Sequence, residues 1–421
     1  MKIAKGLCLV CFAAVSLLPL MAGGQADSAQ ASGGKTTIFL SQSKIEIDQA
    51  LRDVTARYSE LHPDVEFVIE SLSDNYTTSL RTKFAGGEAP DIFMILGGSE
   101  LDLWQSRLED LSDQPWVSDM VPLAKEGIST ADGMVYGFPV SVEGYGYVYN
   151  KRLFAEAGIT SVPKTFTELQ RAVEKLKQAG IQPLAGTYMD WYQAGMFLVN
   201  MGIARQPDPL AFIQGLNDGS ETFVGNEIFE EVANFILYDF SQCESPLNTG
   251  FNQQTALLYS ESIAMTLGGN WLQPSIDSAN PDMQVGLIPM PISDDVASND
   301  KLYAGVTGYW VINKESPAKE EAKAFLTWLA TSEEGRKAMT DQLLFIPAFT
   351  SFEANPDKVG ALSSDLSRYA SQGKVYGIYN SMYPAGGAEY FGNAVQKLVA
   401  GKLDVPGFLE ELQTRWDQLK R

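Results

Sequence analysis

The sequence predicts an α/β protein whose sheets are mainly parallel. Three observations carry this. Short apolar runs alternate with stretches of helical spacing over the first hundred residues, in the order strand, helix, strand, helix, strand that builds a parallel sheet. No Pro/Ser-rich linker divides the 421 residues, although two independent domains are usually separated by one. Three apolar crossings, around residues 140–144, 289–293 and 345–351, have the form that two interleaved lobes sharing a multi-strand hinge would take.

The elements follow in order. Residues 36–40 alternate and read as the first strand. Ile47, Leu51, Val54, Tyr58 and Leu61 then recur at helical spacing, until Pro63, which lacks an N–H, stops the helix. Residues 65–70 (VEFVIE) form a strand and residues 76–84 a helix ended by Gly86 and Gly87. Pro90 opens a third strand that ends at Gly97-Gly98. After the run around Glu143, Thr165-Phe-Thr-Glu168 is a capping box, and Phe166, Leu169, Val173 and Leu176 line one face of the helix behind it. Residues 183–186, 262–267, 285–291 and 309–312 read as strands, residues 226–240 as a helix and residues 294–300 as a polar loop. Ser316-Pro317 predicts a helix with proline at its first position, followed by a short helix from Ser332. Residues 393–400 and 404–419 read as the C-terminal helices.

Residues 1–24 carry two lysines, an apolar run and then small residues, the pattern of a secretory signal peptide rather than a membrane span. Residues 25–35 are small and polar, a flexible lead-in. Beyond the signal, Cys243 is the one cysteine, so no internal disulfide is expected. The formal charge is −21, and the signal holds two lysines and no acid, which leaves −23 for the exported chain. That repels nucleic acid and anionic membranes and disfavours an anionic ligand. With His62 the sole histidine, at a helix stop, a His/Cys zinc site and a Ser-His-Asp unit have no support. No metal and no cofactor is expected.

The stretch GFPVSVEGYGYVYNK, residues 137–151, holds one acid, Glu143, among small, aromatic and β-branched residues. Such a run is a mostly buried strand. A carboxylate inside it needs hydrogen-bond partners, or it costs roughly 2 kcal/mol or more. Either the fold or a ligand supplies them. Ser41-Gln42 and Gly97-Gly98 stand at the carboxyl ends of predicted parallel strands, where ligands of such sheets bind and where ordinary turns also fall.

Six segments, taken in order, resemble bacterial extracellular solute-binding proteins of the sugar-binding, maltose-binding-protein-like class. They are AGGEAPDIFM (from Ala85), DGMVYGFPVSVEGYGYVYNKRLFAEAGI (from Asp132), VPKTFTEL (from Val162), YSESIAMTLGGNW (from Tyr259), VGLIPMP (from Val285) and GYWVINKESPAKEEAKAFLTWLATSEEG (from Gly308). The resemblance implies a two-lobed periplasmic-binding-protein fold of type II with a multi-strand hinge. Its lobes would be residues 36–141 and 292–343 for the first, and 142–291 and 344–421 for the second. It implies that Glu143 binds sugar hydroxyls, that Trp191 and Trp271 are aromatic platforms, and that Asn270, Ser41, Gln42, Gly97, Gly98, Gly305, Thr307, Tyr309 and Tyr383 contribute contacts. The Asp-Lys pair that follows the first strand in maltose binders is replaced by Ser41-Gln42, so maltose is not implied.

The implied function is the extracytoplasmic sugar-binding component of an ABC importer. It would be a periplasmic or cell-surface monomer that closes on its ligand and docks on membrane permease subunits, without enzymatic activity. Tryptophan and tyrosine cover the apolar faces of a pyranose, while carboxylate and amide groups satisfy its hydroxyls. Two alternatives stand beside it: a binding protein for another small solute such as a polyamine, and a secreted glycoside hydrolase with a carboxylate pair that sequence does not single out.

Overall fold

The computed structural model describes residues 34–420 apart from 73, 74 and 131. The predicted signal peptide and almost all of the lead-in lie outside the described residues. Among the described residues the strands, in chain order, are β1 (Thr36–Gln42), β2 (Val65–Ser71), β3 (Ile92–Ile95), β4 (Gly137–Pro139), β5 (Val142–Asn150), β6 (Gln182–Ala185), β7 (Ile263–Gly269), β8 (Val285–Ile288), β9 (Leu302–Val306), β10 (Tyr309–Ile312) and β11 (Val375–Gly377).

They form two sheets. The first has the order β2-β1-β3-β10-β4; the second has the order β11-β9-β5-β7-β6, with β8 also paired to β5. In the first sheet β1 runs parallel to β2 and β3, as the alternation of strands and helices predicts. The helices Asp48–Leu61 and Lys319–Thr331 supply apolar faces to its core, where Tyr58, Phe93, Phe138, Trp310 and Phe325 are buried. The second core gathers Tyr145, Tyr303, Tyr383, Phe391 and Trp416.

The hinge is two strands laid side by side in opposite directions. The chain passes from the first sheet to the second between β4 and β5, and returns between β9 and β10. So β4 pairs antiparallel with β10 (Pro139 opposite Tyr309), and β5 pairs antiparallel with β9 (Val142 opposite Val306). The Val140 amide donates to the Gly308 carbonyl at 3.0 Å between these pairs. The third crossing joins at Ile346, whose carbonyl accepts the Val142 amide at 2.8 Å. This makes β5 antiparallel to β7, β8 and β9, so the second sheet is mixed, with parallel pairing kept at β6–β7 and β11–β9.

Several local expectations are corrected. β9, inside the 292–343 stretch expected in the first lobe, pairs with β5 in the second sheet before the chain crosses to β10. Phe345, Ala348 and Phe349, just beyond residue 343, are buried in the first core. The polar loop at 294–300 contains the short helix Val296–Asn299, because the Asp295 side chain accepts the Ala297 amide and caps it. The helix expected to start at Pro317 starts at Lys319, since Ser316 turns its hydroxyl to Asp91 and to the Ala318 amide instead of capping. The helix placed at 393–400 runs Gly387–Val399. Thr165 caps its helix as predicted, but the Glu168 carboxylate reaches back to the Lys164 amide (2.8 Å), one residue beyond the expected partner.

Candidate ligand site between the sheets

The site is built from the end of β1. The fully buried Gln42 side chain grips both backbone groups of Lys44: its Oε1 accepts the Lys44 amide at 2.7 Å and its Nε2 donates to the Lys44 carbonyl at 2.7 Å. The same Nε2 donates to Ser71 Oγ at 2.6 Å. A two-residue turn tied at both ends holds the lysine in one direction.

That direction crosses from one sheet to the other. The Lys44 ammonium is ion-paired with the Glu143 carboxylate on β5, and with Glu46 on its own lobe at 2.6 Å. Burial opposes a charge on Lys44, but the Glu143 and Glu46 carboxylates outweigh it and hold the ammonium above the ordinary lysine range. The second Glu143 oxygen accepts the hydroxyl of Thr307, which stands between β9 and β10 in the hinge. Glu143 is only 8 % exposed, so the structure answers the question its sequence poses: the fold itself supplies partners for this acid. Each carboxylate oxygen has two acceptor positions, so capacity for further hydroxyl donors is left. Next along β5, the Gly144 amide donates to Asn270 Oδ1 at 2.9 Å, and Gly305 lies opposite Glu143 in the β5–β9 register.

Glu143, Thr307, Gly305 and Asn270 are thus brought together. Sequence reasoning missed Lys44. Ser41-Gln42 at the end of the first strand carries no charge, and the lysine stands two positions further along. Trp271 follows Asn270 and stacks on Phe197, with ring centroids 5.5 Å apart and planes 21° from parallel. Trp191 is 40 % exposed, with Tyr192 edge-on to its ring. Gly97 and Gly98 have φ of +79° and +53°. A Cβ at Gly98 would lie 2.2 Å from the Ser381 carbonyl oxygen, so here the first lobe meets the C-terminal segment of the second backbone to backbone.

Four expected contributors have other work. Ser41 Oγ donates to Glu70 on β2 at 2.8 Å, inside its own sheet. Gln42 is spent on the Lys44 turn. Tyr309 donates its hydroxyl to the Ala124 carbonyl at 2.9 Å, and its ring fills the space beside Gly97 and Gly127. Tyr383 is buried in the second core, with its ring centroid 5.3 Å from Phe391. A separate 280 Å³ cavity on the second lobe is lined by Tyr149, Lys151, Lys164, Asp300, Arg368 and Lys374 among others, and shares no residue with the Glu143 cluster. Among the described residues no group of three or more His, Cys, Asp or Glu is placed to hold a metal ion.

Two α/β lobes on a hinge of paired crossing strands, with a polar cluster reaching between their sheets, define a solute-binding protein fold. Residues 42–336 match the family of bacterial extracellular solute-binding proteins, and the chain belongs to that family. It is 23% identical, over 417 residues and 96% of its length, to the melibiose/raffinose/stachyose-binding protein MelE of Bacillus subtilis, of which 95% is covered. It is 26% identical over 361 residues to a mannitol-binding protein of Pseudomonas aeruginosa, covering 79% of this chain and 75% of that one. Among solved structures, RafE in complex with raffinose aligns with a TM-score of 0.77 at 19% identity, over 92% of this chain and 100% of RafE. The Bacillus subtilis binding protein MsmE in an open conformation aligns at 0.72 and 20%, over 92% and 98%. No helix among the described residues is long and apolar enough to cross a membrane.

Proposed function

We propose that this protein is the sugar-binding component of an ABC importer, and that it captures a neutral oligosaccharide between its lobes. The full-length similarity to a melibiose/raffinose/stachyose-binding protein supports the sugar class. The observation that carries the mechanism is the Lys44–Glu143–Thr307 cluster, whose groups come from the first lobe, the second lobe and the hinge between them.

Rotation about the paired crossing strands opens and closes the cleft. A sugar that touches both lobes only when they are closed binds that form better, and the difference in affinity shifts the population. Glu143 and Asn270 take hydroxyls, and Trp271 and Trp191 offer faces to the apolar side of the rings. Backbone groups at Gly97, Gly98 and Gly305, together with Thr307, complete the contacts. The closed form docks on the permease subunits and releases the sugar. The protein acts as an exported monomer and performs no chemical step.

The test is a ligand panel of melibiose, raffinose, stachyose, mannitol and 1,4-diaminobutane, read by tryptophan fluorescence and melting temperature. A saturable response to an oligosaccharide is expected, and it is lost in Glu143→Ala. At a hundredfold excess over Kd the ligand adds about 2.7 kcal/mol of stability, well above the resolution of a melting curve. A response to the diamine alone, or cleavage of the glycans, overturns the reading.

A further inference from the structure

We infer that Lys44 is a specificity-determining residue: by occupying Glu143 it reserves the site for uncharged hydroxyl donors and closes it to ammonium ligands. This rests on the reading of the cleft as a ligand site, but not on the identity of the sugar.

A carboxylate among apolar and aromatic groups is an ammonium site, and the formal charge of −21 would draw cations to it. Here that position is already taken by the chain's own ammonium. Lys44 Nζ is ion-paired with one oxygen of Glu143, while Thr307 donates to the other. A ligand ammonium approaching the remaining lone pairs comes within a few ångströms of a second positive charge, in a place where burial leaves little water to screen it. A sugar hydroxyl pays no such penalty; it donates to an acceptor already polarised by its neighbours.

Glu46 keeps the lysine in place. It is the second acceptor on Lys44, at 2.6 Å, and it belongs to the same lobe as the lysine. When the lobes part, Lys44 retains Glu46 and remains charged, so it returns to Glu143 on closure. The Gln42 side chain, bonded to the Lys44 amide and carbonyl, fixes the arm from which it swings. Lys44 acts on specificity through Glu143 and is in that sense a positioning residue.

The experiment titrates 1,4-diaminobutane and the panel oligosaccharides into the wild-type protein, Lys44→Met, and Lys44→Met/Glu143→Gln, with folding checked by circular dichroism. The wild type is expected to ignore the diamine. Lys44→Met, with Glu143 and Glu46 left without their counter-charge, is expected to gain diamine affinity by at least about tenfold, because an unpaired buried carboxylate recruits a cation strongly. The double variant is expected to lose that gain. Diamine binding by the wild type overturns the inference, as does a folded Lys44→Met that gains nothing. The wild-type result stands alone should Lys44→Met fail to fold. Silence of the wild type toward every sugar, together with a diamine gain in Lys44→Met, sinks the sugar reading and leaves standing only the exclusion of ammonium by Lys44.

Discussion

Asn270 Oδ1 accepts the backbone amide of Gly144 at 2.9 Å and so ties the start of the second lobe's central strand to the residue that follows β7. Gly144 directly follows Glu143, and both Asn270 and Gly144 are buried. Removing the acceptor leaves a buried N–H without a partner, which costs about 1–3 kcal/mol. Asn270→Ala is therefore expected to lower the unfolding free energy by that amount, read as a lower urea midpoint at unchanged slope. It is also expected to weaken sugar binding, because the carboxylate of Glu143 is carried on the loosened strand. Asn270→Asp keeps the acceptor and is expected to retain most of the stability. An Asn270→Ala protein with unchanged stability and affinity refutes the link.

Much of this was legible in the sequence. Glu143 announced itself because a single acid in a nine-residue strand of small and aromatic side chains must be satisfied, and the structure shows the partners. β1, β2 and the helix between them fell where periodicity put them, since each buries one face against the same core. Lys44 was not legible. Nothing local marks an ammonium that will meet a carboxylate 99 positions away, because that pairing exists only once the hinge strands are in register. β9 was missed for a related reason: Leu302–Val306 is short, contains a glycine and follows a polar loop, so it becomes a strand only by pairing with β5. Tyr309 and Tyr383 pack beside glycines and aromatics of the two cores, a placement the sequence does not show because buried and ligand-facing tyrosines have the same sequence signature.

Asp239 is buried beside the second core with no cation against it among the described residues, held by the hydroxyls of Tyr147 and of Tyr188, the latter at 2.7 Å. Burial pushes its carboxyl up, and the two tyrosine bonds only partly oppose this. An acid whose pKa is higher in the folded state binds its proton more tightly there, so this group's contribution to stability falls as pH rises from the unfolded carboxylate value through the folded one. Asp239→Asn removes the titration and keeps groups that can bond both hydroxyls. Urea midpoints measured from pH 4 to pH 7 are expected to fall less for Asp239→Asn than for the wild type. Parallel curves for the two proteins refute the assignment.

Gly98 has φ of +53° and presses on the Ser381 carbonyl, so an added methyl has two consequences. The positive φ, paired with a ψ of −124°, costs an L-residue about 1–3 kcal/mol in any lobe arrangement. The clash with Ser381 arises only where the lobes meet. Gly98→Ala is expected to melt a little lower and to bind ligand more weakly than that loss explains, because apparent affinity scales with the population of the competent state. Small-angle scattering with saturating sugar is expected to show less compaction than in the wild type. Full compaction with wild-type affinity rules out this contact as part of closure.

Trp271 and Trp191 separate packing from ligand contact. Trp271 is half-buried, stacked on Phe197 and packed against the second core. Trp271→Ala empties part of that core and is expected to cost about 2 kcal/mol or more, alongside any loss of affinity. Trp191 is 40 % exposed, and it is its backbone, not its ring, that approaches Gly392. Trp191→Ala is therefore expected to change stability by no more than about 0.5 kcal/mol. A platform role still demands that it weaken sugar binding, since the ring face would then be lost from the ligand. Titrations and urea curves on the two variants read this directly. Loss of affinity at unchanged stability in Trp191→Ala identifies a surface held out for the ligand, whereas unchanged affinity removes Trp191 from the site and leaves Trp271 as the aromatic wall beside Asn270.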